Sequence, residues 1–145
     1  MPVKIHFCRS GGLVAAVIRI GTMSPFNHVA IEVDGIVYEA LTRRGVIHRR
    51  ADLFGGAWSR VETVAIAIPD ADSCRLFLQD QLGKPYDWGG VFALPFRANW
   101  HNEDRWFCSE LVAAALEAGG LNLGVSARRV TPRDLYPAAN ILASR

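Results

Sequence analysis

A cysteine stands at the start of an apolar, alanine-rich segment, RWFCSELVAAALEAGG, that ends at Gly120. The spacing of its apolar residues predicts a helix. Its inward-facing stripe would consist of Cys108, Leu111, Val112, Ala115 and Leu116. Unpaired N–H groups and the dipole at a helix start favour an anion, so a thiol placed there gains thiolate character. Cys108 is therefore the candidate nucleophile, and a small buried core residue is the alternative interpretation.

The other two cysteines lie in settings that predict no chemistry. Cys74 falls within a helical pattern among Leu and Phe, and Cys8 falls at a strand end, so both are interpreted as core residues. There is no CxxC pair, and three cysteines cannot all pair within one chain, which favours reduced thiols and a cytosolic folding environment. A metal site built from His6, Cys8, His28 and Cys108 is a further alternative, but its spacing matches no recognised site.

A thiolate nucleophile needs a base held against it, and the chain offers four histidines: His6, His28, His48 and His101. His28 opens the strand pattern HVAIEV, where a ring can project from the end of a sheet toward a facing helix. His48 is flanked by two arginines that disfavour its protonated form. His101 lies in an irregular stretch before Cys108, and His6 fits a solvent-facing strand position. We therefore expect His28 to be the base.

A hairpin supplies the carboxylate that would orient this base. In NHVAIEVDGIVYEAL two β-branched runs flank Asp34-Gly35, a favoured two-residue turn. That turn would place His28 opposite Leu41 and put Glu39 on the same face as His28, one diagonal step away. Glu39 is thus the expected orienting group. Glu32 competes for the role, because it shares that face but lies further along the strand.

The remaining patterns define the fold class. PVKIHF, GVIHRR and VETVAIAIP add three strands to the hairpin, and GLVAAVIRIG predicts a short helix. PDADSCRLFLQDQLG predicts a second helix with Asp70 or Asp72 as its N-cap and Gly83 as its stop. TPRDLYPAANIL predicts a last helix with a Thr-Pro start. A small antiparallel sheet followed by packed helices is an α+β domain, and we expect residues 1–145 to form a single one.

Composition excludes several classes of function. The 145 residues carry a net charge of +2, and the arginine pairs at 43–44, 49–50 and 128–129 are scattered. Scattered pairs are typical of solvated surface charge, which argues against a nucleic-acid partner. No apolar run reaches the length of a membrane span, and Arg19 interrupts the one segment that resembles a signal-peptide core. We expect synthesis in the cytoplasm without a signal peptide, with phage association or export by another route as alternatives. Oligomeric state stays open.

The order of the motifs resembles a known family. NHVAIEV, YEA and GV, then GKPYDWGG, then FCSELV, resemble the circularly permuted branch of the NlpC-type papain-like cysteine peptidases and amidases, the YiiX-like proteins. The most specific piece is CSELV with PYDWGG about twenty residues before it. The resemblance implies a papain-like fold with Cys108 as nucleophile, His28 as base and Glu39 as the third member. It also implies that Tyr86 lines the site and helps to bind the oxyanion.

The resemblance also indicates the activity that we expect of this chain. The resemblance implies a thiol hydrolase that cleaves an amide or ester through a covalent acyl-enzyme, without a metal or cofactor. A cell-wall peptide, part of peptidoglycan, is the first expected substrate. The alternatives are an acyl lipid, as in enzymes of the lecithin–retinol acyltransferase type, and a non-catalytic binding module. The segment 91–106 does not match the family. Three tryptophans in or near it would line the substrate cleft or pack against the cysteine helix: Trp88, Trp100 and Trp106.

Overall fold

The computed structural model describes residues 2–22, 24–56, 58–87, 105–124, 126–127 and 130–144. Five strands lie within these residues: β1 (Pro2–Arg9), β2 (His28–Val33), β3 (Ile36–Leu41), β4 (Gly45–Arg50) and β5 (Arg60–Ala67). The helices are α1 (Leu13–Thr22), α2 (Ala71–Gln81), α3 (Cys108–Ala118) and α4 (Pro132–Ala143). The strands form one antiparallel sheet in the order β4-β3-β2-β1-β5. The predicted α+β class, with an antiparallel sheet and packed helices, is confirmed.

The β2–β3 hairpin has the predicted turn and register. Asp34 has a φ of 51° and Gly35 a φ of 77°, and two consecutive positive φ angles are what a two-residue turn between twisted strands requires. Val33 pairs with Ile36, and the next pairs continue the same register. Because side chains alternate along a strand, this register decides which β3 residues share a face with His28.

The two faces of the sheet have different partners. On one face, alternate apolar side chains such as Ile5 and Ile31 join the main core with residues of α2, α3 and α4. On the other face, a smaller apolar cluster of Cys8, Ala30 and Val37 packs under Phe54. Four ionisable side chains of this second face are buried as well: His6, His28, Glu32 and Glu39. Both faces are therefore covered, and the second face carries the polar groups.

The helices begin near the predicted positions. Asp70, and not Asp72, caps α2, since its side chain accepts a hydrogen bond of 2.9 Å from the Ser73 N–H. The helix α3 starts at Cys108 as predicted and packs against α2, β2 and β3. Its stripe of Leu111, Val112, Ala115 and Leu116 is fully buried. The cysteine therefore lies at the buried start of a helix that rests on the sheet.

Some predicted features fall outside the described residues. His101, Trp88 and Trp100 lie there, as do Arg128-Arg129 and most of the segment 91–106. In the parts of the chain that are described, no helix combines the length and the apolar character that crossing a bilayer requires.

Candidate active site

Two neighbouring strands bring a histidine and a carboxylate together. The Nε2 of His28, the first residue of β2, lies 2.8 Å from Oε2 of Glu39 on β3. Both side chains are buried, and that of Glu39 has no exposed surface. This is the diagonal contact that the hairpin register predicts. A buried carboxylate on one ring nitrogen fixes the tautomer and the orientation of the imidazole.

The start of α3 brings Cys108 to the same ring. The hydrogen bond that the structure gives His28 is the one to Glu39, and Cys108 lies close enough to act on the same ring electrostatically. Since Nε2 contacts Glu39, Nδ1 is the ring nitrogen that remains for the thiol. Burial lowers the pKa of His28, but the interactions with the negatively charged Cys108 and Glu39 outweigh it and raise that pKa to about 9. The imidazole is therefore protonated at neutral pH.

An arginine forms an ion pair with the second carboxylate oxygen of Glu39. Arg49 on β4 places its guanidinium nitrogen 2.5 Å from Oε1 of Glu39, the oxygen that does not face His28. The contact is an ion pair whose angles do not fit a hydrogen bond. Arg49 also lies over the Phe54 ring, 6.0 Å from its centroid. We interpreted the pair Arg49-Arg50 as solvated surface charge. For Arg49 this was wrong, because the alternation along β4 turns it onto the face of Glu39.

A tryptophan covers the histidine ring. Trp58, in the connection between β4 and β5, stacks on His28 with 4.7 Å between ring centroids and 9° between the ring planes. Phe54 of the same connection lies 6.2 Å from Trp58. A face-to-face aromatic partner favours an imidazolium and limits its rotation. No spacing in the sequence indicates this role, because the connection has no pattern that ties it to His28.

Tyr86 lies beside the start of α3 because two short segments pair. Trp106 N–H donates to the Pro85 carbonyl at 3.1 Å, and Asp87 N–H donates to the Trp106 carbonyl at 3.0 Å. Residues 85–87 thus run alongside the residues that precede Cys108, in a parallel bridge. Burial, with the negative charges of Cys108, Asp87 and Glu110, raises the pKa of Tyr86 well above its usual value. The phenol therefore keeps its proton and remains a hydrogen-bond donor.

Three other candidates take part in different contacts. Glu32 accepts hydrogen bonds from Lys4 at 2.8 Å and bonds His6 Nε2 at 3.1 Å, so it serves the neighbouring histidine and not His28. His6 is further fixed by a 2.8 Å contact with the Thr63 hydroxyl. His48 is exposed and lies on the face of the sheet opposite to that of His28. Its ring centroid is 6.0 Å from that of Tyr38.

Trp106 does not line the site. It is buried against α2, where its Nε1 donates to Gln81 at 3.1 Å and its ring meets Phe77 edge to face. The sequence predicts that Trp106 either lines the cleft or packs against the cysteine helix, whereas the contacts described for it are with α2.

The three thiols are equally buried but differ in their surroundings. Cys8, Cys74 and Cys108 all have no exposed surface. Burial and the charges of Glu39 and Cys108 raise the pKa of Cys8 strongly, while burial and Asp70 raise the pKa of Cys74 to about 12. Cys108 differs from both because its neighbour is the His28 imidazole, whose pKa it helps to raise to about 9. Of the three, it is the thiol placed to react.

The alternative metal site does not form. His6 is held by Glu32 and Thr63, and the Cys8 thiol donates to the His6 carbonyl at 3.7 Å. Within the described ranges, no three His, Cys, Asp or Glu side chains come together as metal ligands would.

No family model and no curated protein matches the sequence. The interpretation of the site therefore depends on its geometry.

Proposed function

We propose that this protein is a thiol hydrolase that cleaves an amide bond through a covalent acyl-enzyme. The observation that carries the proposal is the connected set Cys108, His28 and Glu39, with the cysteine at a helix start and the histidine between the other two. A nucleophile, a base in contact with it and a group that orients the base are the parts that nucleophilic catalysis requires. The arrangement is consistent with the circularly permuted papain-like cysteine peptidases and amidases.

The proposed reaction follows from these contacts. The Cys108 thiolate attacks the carbonyl carbon, and the protonated His28 then gives its proton to the leaving amine, which departs and leaves a thioester. Neutral His28 next takes a proton from water, whose oxygen attacks the thioester. Cys108 leaves as the thiolate when the acid product is released. Glu39 orients the ring throughout and stabilises the imidazolium in the steps where His28 is protonated.

The oxyanion needs donors that remain protonated. The main-chain N–H of Cys108, at a helix start, is one proposed donor, and the Tyr86 hydroxyl is the other. The raised pKa of Tyr86 supports this role, since a phenol that does not ionise can donate to a developing negative charge. No metal or cofactor enters these steps.

For the substrate we propose a cell-wall peptide, because much of the broader papain-like family that the chain resembles cleaves such peptides. The test is to incubate the protein with a panel of wall peptides and acyl lipids and to identify products by mass spectrometry, with Cys108→Ser as the blank. Amide cleavage that the blank lacks supports the proposal. Release of a fatty acid alone would replace it with the acyl-lipid alternative, and no product from either class would favour a binding module.

Glu39 and Glu32 should respond differently to the same substitution. We expect Glu39→Gln to lower kcat on the order of tenfold and Glu39→Ala up to about a thousandfold, with little change in KM. An amide can still accept a hydrogen bond from the ring, so Gln should be the milder change. Loss of the carboxylate charge should also lower the pKa of His28, so the alkaline limb of the rate profile should move to lower pH.

Glu32→Gln is the matched control and should leave kcat nearly unchanged, because its partners are Lys4 and His6. Steady-state kinetics across pH compare the proteins. A damaging Glu32→Gln together with a silent Glu39→Gln would assign the orienting role to Glu32.

A further inference from the structure

A basic pocket opens next to Tyr86. Its volume is about 280 Å³, and it lies between the β3–β4 turn and the segment that leads to Tyr86. The lining residues are Thr42, Arg43, Arg44, Gly45, Gly83, Pro85, Tyr86 and Arg105. Of these described lining residues, three are arginines and none is acidic. An open pocket with this lining is suited to an anion.

The pocket has a fixed frame. Val46 N–H donates to the Lys84 carbonyl and Gly83 N–H donates to the Val46 carbonyl, each at 2.9 Å, which ties the turn to the Tyr86 segment. Gly45 has a φ of 70°, and a Cβ there would lie 2.3 Å from the Lys84 oxygen. Only glycine permits this close approach. The arginines are thus carried on a turn whose position relative to Tyr86 is set by the backbone.

The β3–β4 turn carries two neighbouring arginines, Arg43 and Arg44. Arg43 and Arg44 are exposed, and neither forms an ion pair with a residue that the structure describes. Asp87 and Glu110, two acidic residues close to Tyr86, are not among the described residues that line the pocket. A guanidinium without a carboxylate partner can form paired hydrogen bonds with carboxylate or phosphate oxygens.

We infer that this pocket binds an anionic group of the substrate, a carboxylate or a phosphate. Tyr86 contributes to the pocket wall and also lies close enough to Cys108 to sense its charge. The Tyr86 side chain would therefore lie between the bound anion and the bond that is cleaved. That the anion belongs to a substrate rests on the proposed function, but anion binding by the pocket does not depend on catalysis.

Binding can be measured without turnover. The amide signals of Arg44, Gly45 and Lys84 are followed by nuclear magnetic resonance in Cys108→Ser protein at constant ionic strength. The probes are glutarate, inorganic phosphate and the neutral analogue glutaramide. We expect saturable shifts with at least one anion and none with glutaramide, and the comparison of glutarate with phosphate identifies the preferred anion.

Variants decide whether the arginines are responsible. Arg43→Gln and Arg44→Gln, singly and together, should weaken anion binding at least severalfold, on the order of the loss expected for one or two charge-assisted contacts. Arg133→Gln is the charge-matched control, since this exposed residue lies on α4, which packs against β5 and β1. It should bind as the parent does.

The two proposals fail in distinguishable ways. Absence of saturable shifts with both anions, or equal weakening by Arg133→Gln, would overturn the pocket while leaving hydrolysis by Cys108 intact. Saturable anion binding in a protein that cleaves no substrate would retain the pocket as an anion site and overturn the hydrolase.

Discussion

Replacing Cys108 by serine should reduce amide hydrolysis at least about a thousandfold, because the reaction depends on a thiolate. A serine hydroxyl is a far weaker acid than a thiol, so the same imidazole cannot hold it as an anion. The change replaces sulfur by oxygen in a side chain with no exposed surface and should leave the fold intact. Initial rates on the cleaved substrate give the effect, and circular dichroism checks the fold.

Cys74→Ala serves as the control for this experiment. Cys74 is buried in α2 and has no contact with His28 among those described, so its removal should reduce stability more than activity. If the Cys108→Ser protein still hydrolysed the substrate at the parent's rate, Cys108 would not be the nucleophile.

Loss of the base should be almost as severe. We expect His28→Ala to lower kcat about a hundred- to ten-thousandfold, since His28 is the group proposed to give its proton to the leaving amine. In the parent protein the raised pKa of His28 keeps the ring protonated below pH about 9. Activity that needs this proton should persist through neutral pH and decline as the pH rises through about 9.

The histidine controls follow from the sheet. His48→Ala should keep the rate and the pH profile, because His48 lies exposed on the opposite face. His101→Ala should also keep them if His28 is the base. A parent profile without a decline near pH 9, or a His101→Ala protein that alone loses activity, would mean that another group carries the proton.

The hairpin explains why much of the site could be predicted. Its two-residue turn fixes the register, and side chains alternate with a period of two, so the sequence alone places Glu39 beside His28. The start of α3 could likewise be predicted, because helical spacing begins at Cys108 and ends at a glycine pair. Local geometry of this kind depends only on neighbouring residues in the chain.

Contacts between distant segments could not be predicted in this way. Arg49 reaches Glu39 from a third strand, so its role requires a second register, between β3 and β4, in addition to that of the first hairpin. Trp58 lies in an irregular connection whose path over His28 is set by packing and not by periodicity. The basic pocket depends on two backbone hydrogen bonds between the β3–β4 turn and residues 83–84.

The rate at which iodoacetamide labels each cysteine directly tests whether Cys108 is an activated nucleophile. All three thiols are equally buried, so a difference in rate at about pH 6 would report ionisation and not exposure. Peptide mapping of the native protein should show Cys108 modified well before Cys8 and Cys74, and His28→Ala should abolish that difference. Equal labelling of the three cysteines, or labelling of Cys108 only after denaturation, would contradict the assignment of Cys108 as an activated nucleophile.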